Sequence, residues 1–282
     1  MIRPADLVYP AVIVVVLWLS VIGCTHSPIE AQEPPENFKT YLDNNITQLL
    51  DWYSVPGISI ALIKNGELEW SAAYGYANIE QNKKMTVDAI FRTESISKSV
   101  TAWGVMKLIE EGLVDLDAPA QNYLNDYELP ESNYLWTEVT IRRLLSNSAG
   151  LPLGTLGEEF APQSETPSVR EYLSKELRLT YEPGSTFLYS NVGYNLLELV
   201  IEEVTGRDFA EYMSMEVLTP LGMQNAGYNW REEWLQKNPM GYDLDGKLVP
   251  PYVYPAKASG GLFGSVEDIA RFVSVGAYAS GN

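Results

Sequence analysis

The stretch FRTESISKSVTAWGVMKLIEEGL, Phe91 to Leu113, marks where the sequence passes from strand-like to helical periodicity, and it carries a reactive serine across that boundary. Val100, Trp103, Met106 and Ile109 recur at near-helical spacing, and Gly112 stands where a left-handed residue ends a helix. Ser95 therefore opens a helix, and Lys98 follows one turn later on the same face. A serine hydroxyl attacks a carbonyl only when a neighbour takes its proton, and an amine at that distance is a candidate. At a helix N-terminus the Ser95 N–H lacks an intrahelical partner and the dipole favours negative charge, which makes half of an oxyanion hole. Burial and the same dipole lower a lysine's pKa. Lys98 is thus expected either to accept the serine proton or to stay charged and lower the pKa of Tyr189.

Upstream, Leu42, Ile46, Leu49 and Leu50 give Tyr41 to Trp52 a helical pattern that Pro56-Gly57 stops. Ile58 to Ile63 is rich in branched residues, Asn65-Gly66 is a type I′ turn signal, and Glu67 to Ala77 resumes a strand pattern, which predicts a β-hairpin. Downstream, Asp115 to Trp136 reads as loop, and helices are predicted at Val139 to Leu145 and Ser168 to Leu177. Pro183-Gly184 turns the chain into the Tyr189 segment. Leu196, Leu197, Val200, Ile201 and Val204 then form a helical stripe stopped by Gly206, and Phe209 to Leu218 reads as helix too. Pro239 to Pro255 has no period, and Ser265 with Asp268 makes a capping box before Ile269, Phe272 and Val273. The pattern amounts to one hairpin and about seven helices. A lone hairpin is marginally stable, so further strands are expected, although no later segment reads as one.

With 282 residues, 46% hydrophobic content and a formal charge of −18, the chain can bury a large core and would repel phosphate backbones, so nucleic acid is excluded as a partner. The acidic pairs Glu110/Glu111, Glu202/Glu203 and Glu232/Glu233 read as solvated helix faces. Its one histidine, His26, lies near the N-terminus, which excludes a Ser-His-Asp triad, and one histidine with one cysteine cannot build a zinc site. No metal and no organic cofactor is implied. Leu7 to Ile22 is apolar behind Arg3 and ends in Val21, Ile22, Gly23, Cys24, which resembles a bacterial lipoprotein signal. The expected organisation is a signal peptide over residues 1–23, a lipidated Cys24, a Pro-containing tether over 24–40, and a catalytic domain over 41–282. That puts the domain in the cell envelope, on the periplasmic side, membrane-attached through the N-terminal lipid. A retained single-span anchor is the alternative.

Tyr189, Ser190 and Asn191 form a Y-x-N tripeptide. Together with Phe91–Leu113, the stretches PGSTFLYSNVGYNLLELVIEEVTGRDFAEYMSMEVLTPLGM from Pro183, LLSNSAGLP from Leu144 and SGGLFGSVEDIARF from Ser259 resemble one family, over roughly residues 40 to 280. It is the serine β-lactamase-related family of class C β-lactamases, D-alanyl-D-alanine carboxypeptidases and family VIII esterases. The resemblance implies an α/β (α+β) fold, an antiparallel sheet flanked by helices beside an all-helical domain. It implies Ser95 as the acylated nucleophile, Lys98 and Tyr189 as the proton-transfer pair, and Asn191 as a polar group holding Lys98 and the substrate. Which of Lys98 and Tyr189 is the base stays open. Ser97 and Ser190 are expected only to make local hydrogen bonds. The substrate is expected to be a small molecule or peptide, an ester or D,D-peptide ahead of a β-lactam.

Three departures from that pattern stand out. Asn147 replaces a histidine that is structural in the family. Glu94, beside the nucleophile, is larger and more acidic than usual; facing the pocket it would raise the pKa of Lys98, and it is expected to point to solvent. The third motif, K-T-G or H-x-G on a strand, is missing together with the family's last sheet strands. Lys257, Ala258, Ser259, Gly260 has an extra residue and leads to a helix, so it is not that motif. The chain is therefore expected to be a truncated hydrolase, or else a catalytically incomplete protein that binds cell-wall peptides or a partner.

Overall fold

The computed structural model describes residues 38–279; the apolar run Leu7 to Ile22, Cys24 and the tether up to Asn37 lie outside the described residues. The first described element is α1 (Phe38–Tyr53), which buries Ile46 and Leu50. β1 (Gly57–Lys64) and β2 (Glu67–Asn78) then pair antiparallel, in a register running from Gly57 opposite Gly75 to Lys64 opposite Glu67. Asn65 and Gly66 join them with φ of 55° and 78°, the double positive φ of a type I′ turn, whose twist matches that of the strands.

The hairpin is completed mostly by helices. β3 (Lys83–Lys84) adds a two-residue pairing to β2, giving the order β1-β2-β3. α1 rests on β2, while α7 (Val266–Ala279) rests on both long strands and is tied to them by Ser71 Oγ, which donates to Glu267 Oε1 at 2.8 Å. Ser265 and Asp268 form the expected reciprocal box at the start of α7, with N–H to oxygen distances of 3.1 and 3.2 Å.

A second, helical half contains α2 (Ile96–Glu110), α3 (Ile141–Leu145), α4 (Val169–Glu176), α5 (Asn191–Thr205) and α6 (Phe209–Met213), which runs into a π-helical turn at Ser214–Leu218. α5 is its axis. All eleven residues from Asn191 to Ile201 are buried, and its Leu196, Leu197, Leu199, Val200 and Ile201 share a core with Leu144, Leu173 and Phe209. A helix buried on every side needs apolar residues all round, which is why its sequence shows no solvated face until Glu202. Side-chain caps fix the helix starts: Ser168 with Glu171 as a capping box, and Thr140, Ser190 and Asp208 each accepting an N–H three residues on.

Two expectations need correction. β4 (Phe91–Arg92) pairs with β7 (Phe263–Gly264), and β5 (Gly241–Tyr242) with β6 (Leu248–Val249), antiparallel ladders in stretches with no strand pattern. Two residues are too few for a period of two to register. The stripe Val100, Trp103, Met106, Ile109 describes the buried face of α2 only in part: Val100 is fully buried and Trp103 and Ile109 pack against the core, but Met106 is 47% exposed, and the helix also buries Ser97, Lys98, Thr101, Gly104, Val105 and Leu108. The inward face is partly polar because it meets backbone groups of a distant segment, described below.

Replacing Leu197 by alanine is expected to lower the stability of the fold by about 2–5 kcal/mol, because the cavity would open in a close-packed axis helix. Chemical denaturation of the variant against the parent measures it; a loss below about 1 kcal/mol would contradict the placement of α5 at the centre.

Candidate active site

β4 delivers the chain to Ser95, and both ends of the approach are pinned. The N–H and Oγ1 of Thr93 donate to the Leu262 carbonyl at 2.8 and 3.0 Å. Glu94 takes a positive φ of 48°, uncommon for a residue with a side chain, and its carbonyl accepts the Ser97 N–H at 2.9 Å. Ser95 follows as the N-cap of α2, and its own N–H has no acceptor among the described residues. That donor is therefore available to an incoming oxyanion.

Lys98 sits one turn into α2, only 5% exposed. Its Nζ donates to Asn191 Oδ1 at 2.8 Å, to the Ser259 carbonyl at 2.7 Å and to Ser95 Oγ at 3.4 Å. The rings of Tyr189 and Tyr194 lie 4.7 and 5.8 Å from the same nitrogen. Burial removes the water that would hydrate an ammonium and brings the pKa of Lys98 down to about 8, against an opposing pull from the Glu94 carboxylate. The structure thus brings Ser95, Lys98, Tyr189 and Asn191 together from two helices ninety residues apart in the chain, since Lys98 and Asn191 are separated by 93 positions. Tyr189 is 37% exposed and presents its ring to Lys98; its phenol oxygen makes no hydrogen bond among the described residues.

The Y-x-N segment is held from behind by the loop at 147–153. Asn147 accepts the Leu188 N–H on its carbonyl at 2.8 Å and the Ser190 N–H on its Oδ1 at 3.0 Å, so one residue grips the backbone on both sides of Tyr189. Ser190 donates to the Pro152 carbonyl at 2.6 Å while its Oγ accepts the Gly193 N–H at 2.9 Å, and Asn191 N donates to the Leu153 carbonyl at 2.8 Å. Asn147 is structural here, and an amide fills the position because it offers an acceptor at the required reach.

Glu94 departs from its expected position. It turns inward rather than to solvent: Arg92 Nε donates to its Oε1, Tyr254 OH approaches the same oxygen at 3.5 Å, and the Arg92 guanidinium lies 3.5 Å over the Tyr252 ring. The ion pair offsets the partial burial of the carboxylate next to the site. Lys257 behaves as expected for a residue outside the third motif: it opens a turn whose carbonyl accepts the Gly260 and Gly261 N–H groups, and its ammonium faces Asp208 at 3.5 Å. A Cβ on Gly261 would stand 2.8 Å from Lys257 Cα, so the close return of this turn requires glycine. What sequence reasoning missed is the turn itself, whose Ser259 carbonyl is one of three oxygens around Lys98. The available signal was the polar stripe Asn191, Asn195, Glu198 in an otherwise apolar helix.

Residues 42–281 match the family model described as Beta-lactamase. The chain belongs to the Beta-lactamase family. It is similar to Protein flp of Staphylococcus aureus (strain MRSA252), 27% identical over 239 residues that cover 82% of this chain and 47% of the relative. It is also similar to Penicillin-binding protein 4* of Bacillus subtilis (strain 168), 27% identical over 203 residues, 70% of this chain and 43% of the relative. The chain thus spans about half the length of these curated relatives. Among solved structures it is similar to the octameric penicillin-binding protein homologue from Pyrococcus abyssi, with a TM-score of 0.72 and 32% identity, covering 84% of this chain and 56% of that one. The α/β fold of antiparallel sheets and helices is therefore that of the β-lactamase and penicillin-binding-protein family.

In this family member the two influences on Lys98 can be separated. Its titration, followed by NMR on protein carrying 13Cε-lysine, is expected near pH 8. Removing the neighbouring anion in Glu94→Gln disfavours the ammonium, so the midpoint must move to lower pH. A midpoint that rises or stays would refute the electrostatic assignment of Glu94.

Proposed function

We propose that this chain is a serine hydrolase that forms an acyl-enzyme at Ser95 on an ester, a D,D-peptide or a β-lactam-like amide, with the first two as the preferred substrates. The observation that carries the reading is the buried Lys98 amine, 3.4 Å from Ser95 Oγ and lowered to about 8. An amine poised near the working pH can take a proton that an ordinary, fully charged lysine cannot. The family names of the relatives, penicillin-binding protein among them, support the same class of substrate.

In this reading Ser95 Oγ bonds to the substrate carbonyl carbon as its proton leaves for Lys98, directly or through the phenol of Tyr189, whose ring centre lies 4.7 Å from that amine. The Ser95 N–H stabilises the negative charge on the carbonyl oxygen. Collapse returns the proton to the leaving alcohol or amine and leaves an ester at Ser95. Water then repeats the sequence in reverse, losing a proton to the same pair and releasing the acid. Asn191 keeps the Lys98 ammonium oriented between steps and offers its amide to the substrate. None of these steps calls for a metal or an organic cofactor. We also propose that the domain works at the cell envelope, on the periplasmic side, held by a lipid on Cys24; mass spectrometry of the mature N-terminus showing an intact Met1 would refute cleavage there.

A fluorophosphonate probe and a fluorescent penicillin test the chemistry. The folded chain is expected to label, Ser95→Ala to lose all labelling, and Lys98→Met to label about 10²- to 10⁴-fold more slowly. A folded wild-type chain that never labels would replace this reading by that of a peptide- or partner-binding protein.

A further inference from the structure

Glu198 takes no part in the chemistry above, yet it is a fully buried carboxyl two turns along the helix that supplies Asn191. Asn191, Asn195 and Glu198 stand at i, i+4 and i+7 and so line one stripe of α5. Each holds a different group. Asn191 Oδ1 accepts from Lys98 Nζ, Asn195 Oδ1 accepts the Ser259 N–H at 3.1 Å, and Glu198 Oε2 accepts the Lys257 and Ala258 N–H groups at 2.6 and 2.7 Å. Three consecutive backbone donors, from residues 257, 258 and 259, thus end on two side chains of α5.

The other side of this segment faces α2. Thr101 Oγ1 donates to the Ala258 carbonyl at 3.0 Å, Lys98 Nζ to the Ser259 carbonyl at 2.7 Å, and Leu262 N to Ser97 Oγ at 3.0 Å. The N–H groups of residues 257 to 259 are satisfied by α5 and the carbonyls of Ala258 and Ser259 by α2, so the place of the segment between the helices is set by side chains rather than by a strand ladder. The carbonyl that reaches Lys98 follows directly after the two amides that Glu198 grips. A carboxyl in such a site is costly, since burial, and with it the neighbouring Glu202 carboxylate, raises its pKa, while the two N–H bonds and the Lys257 ammonium work in the opposite direction.

We propose that Glu198 is a positioning residue for Lys98: with Asn195 it fixes the backbone of Lys257 to Ser259 so that the Ser259 carbonyl holds Lys98 Nζ within reach of Ser95. The proposal rests on the reading of Ser95 and Lys98 as nucleophile and proton acceptor. Without the clamp the ammonium loses its acceptor while staying buried, which favours the neutral amine and lets it wander from Ser95. The titratable groups facing Lys98 are Glu94, Tyr189 and Tyr194; those facing Glu198 are Lys257, Glu202, Tyr172 and Tyr228.

Two variants of the full chain, Glu198→Gln and Glu198→Ala, are compared by two readouts: the Lys98 titration by 13Cε-lysine NMR, and the pH dependence of Ser95 labelling by a fluorophosphonate. Glutamine keeps an oxygen that accepts both N–H groups, so it is expected to preserve the titration and to label within about threefold of the parent rate. Alanine, checked for folding by circular dichroism, is expected to lower the Lys98 midpoint by about one unit and slow labelling about 10- to 100-fold. An unchanged midpoint in a folded Glu198→Ala, or equal losses in both variants, would overturn the proposal. Should that variant not fold, Asn195→Ala removes only the Ser259 tie and must move the midpoint in the same direction; an unmoved midpoint overturns the proposal as well. The titration does not require acylation. If the parent never labels while the midpoints shift as stated, the hydrolase reading fails and the positioning role stands.

Discussion

Around the Lys98 ammonium the protein has to do what water does for an exposed lysine. Its hydrogen-bond acceptors are an amide oxygen from α5, a backbone carbonyl from a turn some 160 residues along the chain and the hydroxyl of Ser95, with two tyrosine rings behind them. A buried charge without such partners would be far too costly, so the elements that carry them are drawn to one point. The irregular path of residues 257–262 brings one of those oxygens to Lys98, and the partly polar inward face of α2 and the polar stripe of α5 hold that path in place.

Chemistry and stability pull on Lys98 in opposite directions, and the balance is visible in the residues. Burial drives its pKa down towards neutrality, where an amine is useful as a base, while the Glu94 carboxylate draws it back up. Glu94 is itself tied to Arg92, and Arg92 to the Tyr252 ring, so the opposing charge is anchored rather than free to swing over the site. The positive φ at Glu94 is the backbone side of the same arrangement: the chain turns sharply between β4 and α2, and the turn leaves the Ser95 N–H without an acceptor among the described residues.

Much of the local structure was legible because it depends on neighbours in sequence. The Asn65-Gly66 turn, the caps at Ser168 and Ser265, and the helix starting at Ser95 stand where pattern and capping chemistry put them. That Ser95, Lys98, Tyr189 and Asn191 would meet was legible from S-x-x-K and Y-x-N taken with the flanking blocks. The apolar stripe of α2 gives its inward face only in part: Val100 is buried, but Ser97 and Thr101 lie inward too, since they serve the Leu262 N–H and the Ala258 carbonyl, partners no local pattern reveals. Glu94 was placed in solvent because its partner Arg92 is two residues away on a strand too short to read.

By itself, the sequence determined where helices and the hairpin begin and end, that a serine and a lysine share one helical face, and which family the pattern resembles. These follow from torsional preferences and from spacings of three or four residues. Only the tertiary structure decided how Lys98 is solvated, that Asn147 grips the backbone around Tyr189, that Glu94 turns inward, and that Asn195 and Glu198 hold the 257–259 turn against it. Apart from the Arg92–Glu94 pair, each of those depends on burial and on side-chain hydrogen bonds between partners 43 to 161 residues apart, and the energy of a buried polar group is fixed by what surrounds it, not by what precedes it in the chain.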